Sequence, residues 1–291
     1  MPTTRIPEID KLYEDVREYQ ASINFQELIS FVCKFPHIAP YNAMLIHIQK
    51  PGSTYVASVR DWYAKFGRKI KPGARPLIIL KPFGPVSFVY EYNDTEGKPL
   101  PKDLVEPFRT ENAISKADLN ALISNIKSDG VGVEYSDFGS SLGAFIKWHS
   151  QYRVLQMRVT NSIRKVKSYH SIVVNSNLSD TERYAAILHE LGHMYCGHLY
   201  HDHSKEKWLP ERFDIGLSYE QKEFEAETVC YMVCERMGIK NPSIEYLSGY
   251  LDSNNKIPDI SVDSIMKATG IIENLIHYVQ YPRKELLIKE N

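Results

Sequence analysis

The sequence predicts an α+β protein of two domains: an N-terminal helical domain with a β-hairpin, and a C-terminal domain whose strands precede its helices. Three observations lead there. The 291 residues exceed one ordinary domain. Asn93 to Thr110 is polar and holds Pro99, Pro101 and Pro107, so it reads as a connector and sets the domains at 1–105 and 112–291. Apolar residues at 43% and charged residues at 24% are globular values, so each part can fill a core.

In the N-terminal part, helical patterning covers Ile9 to Tyr19, Phe25 to Cys33 and Tyr41 to Ile48. Pro40 suits the first turn of the third helix, where a missing N–H leaves no bond unmade. A short helix follows at Arg60 to Phe66 with Ser58 as its cap. Pro72-Gly73 marks a turn; Arg75 to Lys81 and Val86 to Tyr92 then read as strands joined across Pro82-Phe83-Gly84-Pro85. The C-terminal part opens with a helix from Lys116 to Lys127, capped by Ser115. Strands are expected at Val131 to Tyr135, Tyr152 to Val159 and Ser171 to Asn175, and helices at Asp180 to Tyr195, Tyr219 to Met237 and Val262 to Tyr278.

Several function classes are excluded by simple counts. Thirty-five Lys and Arg against thirty-six Asp and Glu rule out a polyelectrolyte tail, although local patches can hide in a balanced total. No run of apolar residues is long enough to span a bilayer, so no membrane partner is expected. The N-terminus lacks a signal-peptide core, and Cys33, Cys196, Cys230 and Cys234 form no C-x-x-C pair. The chain reads as cytoplasmic. Cys230 and Cys234, beside Ala226, Val233 and Met237, are expected as small core residues.

The chemistry lies in His189-Glu190-Leu191-Gly192-His193. Residues four apart share a helix face, so both imidazoles can meet one tetrahedral zinc ion with Glu190 beside its water as general base. Ser179-Asp180-Thr181-Glu182 is a capping box that starts this helix. The strand Ser171 to Asn175 ends just before it and is expected to hold an extended substrate backbone. This pattern gives the C-terminal domain a zincin-like character.

A third ligand is needed. The longer metzincin pattern requires Gly at 196 and His at 199, where this chain has Cys196 and Leu199, so that route fails. His198, His201 and His203 are then expected to face solvent. The other route is a second helix, opened by the capping box Ser218 to Gln221 and carrying Glu223-Phe224-Glu225-Ala226-Glu227. Glu223 and Glu227 share a face; Glu225 points the other way. Glu223 is the expected third ligand. Glu227 is the expected acceptor for a ligand histidine's outer N–H, and the reserve ligand.

Two basic windows suggest a nucleic-acid partner. Arg60 to Lys81 carries seven Lys or Arg against Asp61, with Trp62, Tyr63 and Phe66 interleaved. Cations for phosphates and aromatic faces for bases suit single-stranded DNA, with Trp62, Tyr63, Lys65, Arg68, Lys69, Lys71 and Arg75 as candidates. Lys147 to Lys167 carries six basic residues and no acid, with Trp148 and Tyr152 among them; it suits DNA and an ordinary solvated face equally, and its place in the peptidase half also suits a substrate groove.

From Ile172 to Met237 the chain resembles the ImmA/IrrE-type metallopeptidases, through the asparagine-ended strand IVVN, then NLS, HELGH and EFEAE. The resemblance implies zinc ligation by His189, His193 and Glu223, with Glu190 catalytic. The family's E-x-x-A-N ends in Asn where this chain has Glu227. The segments Tyr41 to Pro82 and Tyr90 to Pro101 are similar to the single-stranded-DNA-binding domain of ArdC-type antirestriction proteins, including the N-x-x-L-I-x-x-Q run from Asn42 to Gln49. That implies single-stranded DNA binding and protection of incoming mobile DNA from restriction. Three readings follow: a zinc metallopeptidase acting on a protein or peptide, a DNA-binding module whose zinc is structural, and a regulator-cleaving protease with a protein-docking N-terminal domain.

Overall fold

The computed structural model describes residues 25–81, 84–101, 104, 114–139, 143–239 and 258–288. The chain divides into two compact units, Met1–Thr110 and Glu111–Asn291. The helix expected at Ile9 to Tyr19 lies outside the described residues, as do part of the hairpin turn and part of the connector.

Unit 1 contains α1 (Phe25–Cys33), α2 (Pro40–Gln49), β1 (Val56–Ala57), α3 (Val59–Phe66), β2 (Lys69–Ile70), β3 (Leu77–Lys81), β4 (Gly84–Glu91) and β5 (Thr95–Glu96). Ser58 caps α3 by accepting from the Asp61 N–H, and Gly67 ends it in the left-handed region. The expected hairpin is β3 against β4, with Leu77 opposite Val89. β1 pairs on the far side of β4, and β2 pairs with β5. Those two-residue strands were not foreseen, because so short a run shows no period. The N-x-x-L-I-x-x-Q run has a structural reason. Asn42 exchanges two hydrogen bonds with the Leu80 backbone, at 3.0 and 2.9 Å. Gln49 does the same with Ile78, both at 2.8 Å. Two side-chain amides from α2 thereby satisfy the backbone of β3 as a neighbouring strand would, while Leu45 and Ile46 between them are buried.

Unit 2 contains α4 (Lys116–Asn125), β6 (Val131–Ser136), β7 (Ala144–Val159), β8 (Ser162–Asn175), α5 (Asp180–Tyr195), α6 (Tyr219–Arg236) and α7 (Val262–His277). Capping boxes at Ser115/Asp118, Ser179/Glu182 and Ser218/Gln221 start three of its helices. The sheet order is β6-β8-β7, with β6 parallel and β7 antiparallel to β8. β7 and β8 are far longer than expected. A register shift between Trp148 and Arg153 breaks the alternation in β7, and cations occupy β8 positions that otherwise read as loop. The core brings Ile172 and Val174 of β8 together with Ile187, Leu188 and Leu191 of α5, Val229 and Val233 of α6, and Ile265 and Ile272 of α7. All are buried.

One expectation is corrected here. The strand Ser171 to Asn175 does not offer its backbone to a ligand, because β8 is central and paired on both sides over this stretch. The strand edge beside the HELGH helix belongs to β7. Among the described residues, no helix is long and apolar enough to cross a membrane.

Candidate metal centre and basic surfaces

α5 and α6 bring His189, His193 and Glu223 together, with one donor atom from each within 4.8 Å of the others. The two Nε2 atoms are 3.1 Å apart. Each lies 3.4 Å from an oxygen of Glu223. A tetrahedral zinc ion with bonds of about 2.0–2.1 Å holds its donors about 3.3–3.4 Å apart. The two nitrogens, and each nitrogen with its nearer carboxylate oxygen (Oε2 for His189, Oε1 for His193), stand at that spacing.

Outer partners set which nitrogen of each ring faces inward. Glu227 Oε2 lies 2.8 Å from His189 Nδ1, so this carboxylate accepts the Nδ1 proton and leaves Nε2 as a lone-pair donor. His193 Nδ1 meets His198 Nδ1 at 3.0 Å, and His198 Nε2 meets Glu225 Oε2 at 2.8 Å. The buried Glu225 carboxylate takes the His198 Nε2 proton; His198 Nδ1 then accepts from His193 Nδ1, leaving His193 Nε2 free to ligate. Arg212 completes the chain with two bonds to Glu225, at 2.7 and 2.9 Å.

The titrations follow from these contacts. Burial alone would lower the His189 pKa, but Glu223 and Glu227 overcome it and hold it well above the ordinary value. Glu223 is pulled down to about 2, its burial outweighed by the two adjacent histidines. For Glu225 burial is likewise outweighed, by His198, Arg212 and the Ser261 N–H, and its pKa is lowered. Glu190 is raised by burial, partly offset by His189 and by the Ile146 N–H. That N–H belongs to β7 and donates to Glu190 Oε2 at 2.9 Å, which places the carboxylate beside the sheet edge.

Gly192 explains why the two helices approach so closely. A Cβ there would sit 2.9 Å from the Ala226 carbonyl oxygen and 3.1 Å from its Cα, both backbone atoms of α6. Any side chain at 192 pushes α6 away and carries Glu223 and Glu227 with it. Gly197, at φ 77°, turns the chain back just after α5, so that His198 reaches inward. The expectation that His198 faces solvent is therefore wrong: it is 3% exposed. His201 is half-buried and His203 exposed. Glu225 points away from Glu223 as expected, but the sequence assigned it no role, and Arg212 was not singled out. A histidine five positions beyond His193 after a Gly was the available signal.

Cys196, His198 and Glu225 also lie within mutual ligand distance. The Arg212 guanidinium already neutralises that carboxylate, so the group acts as support for His193. Cys230 and Cys234 are buried core residues as expected.

The first basic window divides in two. Trp62 is completely buried, with Nε1 donating to the Tyr90 carbonyl at 2.9 Å, and is a core residue with no face for a base. Arg68 is 5% exposed. Its guanidinium bonds Thr95 and the Lys98 carbonyl and lies 4.4 Å from the Tyr92 ring centroid, so it ties β5 to the end of α3. Both drop out as DNA contacts, because buried donors need fixed acceptors. Tyr63, Lys65, Lys69, Lys71 and Arg75 are exposed.

Residues 127–234 match the family model of the IrrE N-terminal-like domain, peptidase M78. No curated protein matches the chain. Two crystal structures of the antirestriction protein ArdC from plasmid R388 are similar in part. The Mn(II)-bound form shows 16% identity and a TM-score of 0.39 over 82% of this chain and 85% of that one. For the metal-free form the values are 14% and 0.36, over 81% and 84%. The HELGH and EFEAE motifs both fall inside the stretch that matches this family model.

Proposed function

We propose that unit 2 is a zinc-dependent metallopeptidase in which His189, His193 and Glu223 hold the ion and Glu190 moves the proton. The observation that carries this reading is the convergence of His189 Nε2, His193 Nε2 and the Glu223 carboxylate, one donor atom from each within 4.8 Å of the others, together with outer partners that turn both Nε2 lone pairs inward. Imidazole and carboxylate donors suit zinc. When bound there, zinc polarises a carbonyl and lowers the pKa of water. Glu190, whose proton affinity burial raises, accepts a proton during attack and returns it to the leaving amine. The edge of β7 beside Glu190 offers backbone groups to an extended protein or peptide substrate.

A purely structural site takes four protein ligands. Among the described residues three converge, and Glu227 is engaged on the outward side of His189. That favours catalysis over a structural ion. Metal analysis tests the reading directly. The purified chain is expected to carry about one zinc per molecule. His189→Ala is expected to carry almost none, with its circular dichroism retained; equal zinc in both proteins would remove the site.

Unit 1 supplies the second half of the proposal, a single-stranded-DNA-binding domain with an antirestriction role. Its support is the exposed set Tyr63, Lys65, Lys69, Lys71 and Arg75, and the motif resemblance of this region to ArdC-type proteins. Joint replacement of the four cations by Ala is expected to lower single-strand affinity and reduce the slope of log K against log salt by about 2.8, at about 0.7 per phosphate contact. An unchanged slope would take the DNA assignment away from this patch.

A further inference from the structure

Asn175 ends the IVVN strand and has no part in ligation or proton transfer, yet it is only 2% exposed. Its side chain bonds in both directions. Nδ2 donates to the Gly139 carbonyl at 2.9 Å, and Oδ1 accepts from the Asn177 N–H at 3.0 Å. One partner is an acceptor and the other a donor, which sets the orientation of the amide. The Asn175 backbone N–H donates to the Gly143 carbonyl at 2.8 Å. The next two residues repeat the tie. The Ser176 N–H donates to the Ser136 carbonyl at 2.8 Å, and Asn177 Nδ2 to Asp137 Oδ1 at 2.7 Å. The end of β8 is thereby fastened both to the chain leaving β6 and to the residue that precedes β7. A turn closed within Asn175 to Asn177 needs only an acceptor, which Asp supplies as well as Asn. The bond to Gly139, 36 positions away, needs a donor.

The place of this fastening decides what β7 presents to α5. In an antiparallel pair, successive residues turn their N–H and C=O alternately toward the partner strand and away from it. Gly143 faces β8, so Phe145 and Lys147 do too, while Ala144, Ile146 and Trp148 face outward. On that outer side the Ile146 N–H meets Glu190 Oε2 at 2.9 Å. A slip of one residue would turn Ile146 toward β8 and break the contact. Ala144 pairs with Val174 and Trp148 with His170; beyond the shift after Trp148, β7 and β8 run on as a long ribbon in a different offset, Arg153 with Ser168 to Val159 with Ser162. The ribbon therefore does not set the register of the five residues beside Glu190. Their far end is held by Trp148, whose Nε1 donates to Glu206 at 3.3 Å. Their near end is held by Asn175.

We propose that Asn175 is a positioning residue. It pins Ala144–Trp148 in the register that sets the Ile146 N–H against Glu190 and turns the outward backbone groups of Ala144 and Trp148 toward an extended substrate. The service to substrate and base rests on the metallopeptidase reading; the pinning of the register does not.

The test compares the full chain with Asn175→Ala and Asn175→Asp, by amide hydrogen exchange over residues 144–148, zinc content and casein cleavage. Asn175→Ala loses the bonds to Gly139 and Asn177, and exchange over these residues is expected to rise about 10–100-fold. Asn175→Asp keeps the acceptor and loses the donation to Gly139, for an expected rise of about 3–10-fold. Exchange in the β6–β8 pairing and zinc content are expected to stay at wild-type values. At full zinc occupancy kcat/KM on casein is expected to fall about 10²-fold in Asn175→Ala, the loss that a misplacement of about 1 Å produces. Unchanged exchange over 144–148 in Asn175→Ala overturns the proposal. So does an Asn175→Asp chain that exchanges like wild type, since only the local turn would then matter. Loss of zinc together with β6–β8 protection also overturns it, by making Asn175 a general structural residue. Faster exchange with undiminished cleavage removes the positioning role. A wild-type chain that leaves casein intact, with exchange rising as expected in both variants, keeps the register pin and counts against the peptidase reading alone.

Discussion

Glu190→Gln is expected to keep the metal ion and to slow hydrolysis of an unstructured protein such as casein by about 10²–10⁴-fold. The two halves of that result have separate causes. The proposed ligation uses His189, His193 and Glu223, which converge without Glu190. The amide of Gln is close in shape to the carboxylate and can still accept from the Ile146 N–H, so the contact between α5 and β7 survives. What it loses is proton transfer, because a carboxamide oxygen is a far weaker base. Zinc content measured beside casein cleavage checks both halves. A variant that loses its zinc makes Glu190 part of the metal-holding structure, and one that cleaves at the wild-type rate removes it from the chemistry. A wild-type chain that carries zinc and leaves casein intact supports the structural-ion reading.

Glu225→Ala is expected to have the largest effect on stability, although this side chain approaches the donor cluster only through His198. Its carboxylate is wholly buried and accepts from Arg212 twice, from His198 and from the Ser261 N–H at the start of α7. Removing it leaves a mostly buried guanidinium without its counter-charge, which costs about 3–5 kcal/mol. For a unit of this size that corresponds to a fall in Tm of about 6–20 °C. His198 also loses the acceptor that fixes its tautomer, so His193 is less firmly presented and metal affinity is expected to fall about 10–100-fold. Thermal melting and a zinc titration measure the two effects. A melt within a degree or two of wild type would show that the Arg212–Glu225 pair is replaceable, as in proteins where a buried ion pair contributes little. Glu225→Gln separates charge from packing: it fills the same space, so any remaining loss reports the ion pair.

Much of the architecture was legible because the decisive signals are local. Ser115, Ser179 and Ser218 begin helices at the expected residues, since each cap closes within three positions. The hairpin of β3 and β4 was readable from two apolar runs and their turn residues. The long ribbon was not, because its solvent face is cationic and the register shift after Trp148 interrupts the period. The same limit applied to the sites. Aromatic and basic residues between Arg60 and Lys81 have a suggestive composition, yet composition does not say which side faces inward. Trp62 and Arg68 are inside because Tyr90, Thr95 and Lys98 supply the acceptors their N–H groups need. Those acceptors lie some thirty residues away, so no window around Trp62 could have shown them.

For the metal centre the division is sharper. The helical period by itself places His189 with His193 on one face and Glu223 with Glu227 on another, since four residues make about one turn wherever the helix lies. The distance between those faces is not a property of either helix. It comes from packing, where Gly192 lets α6 approach within van der Waals distance, and from the turn at Gly197 that folds His198 back toward His193. Local geometry follows from the order of residues alone; convergence of separate segments follows only once a shared core has set where their backbones rest.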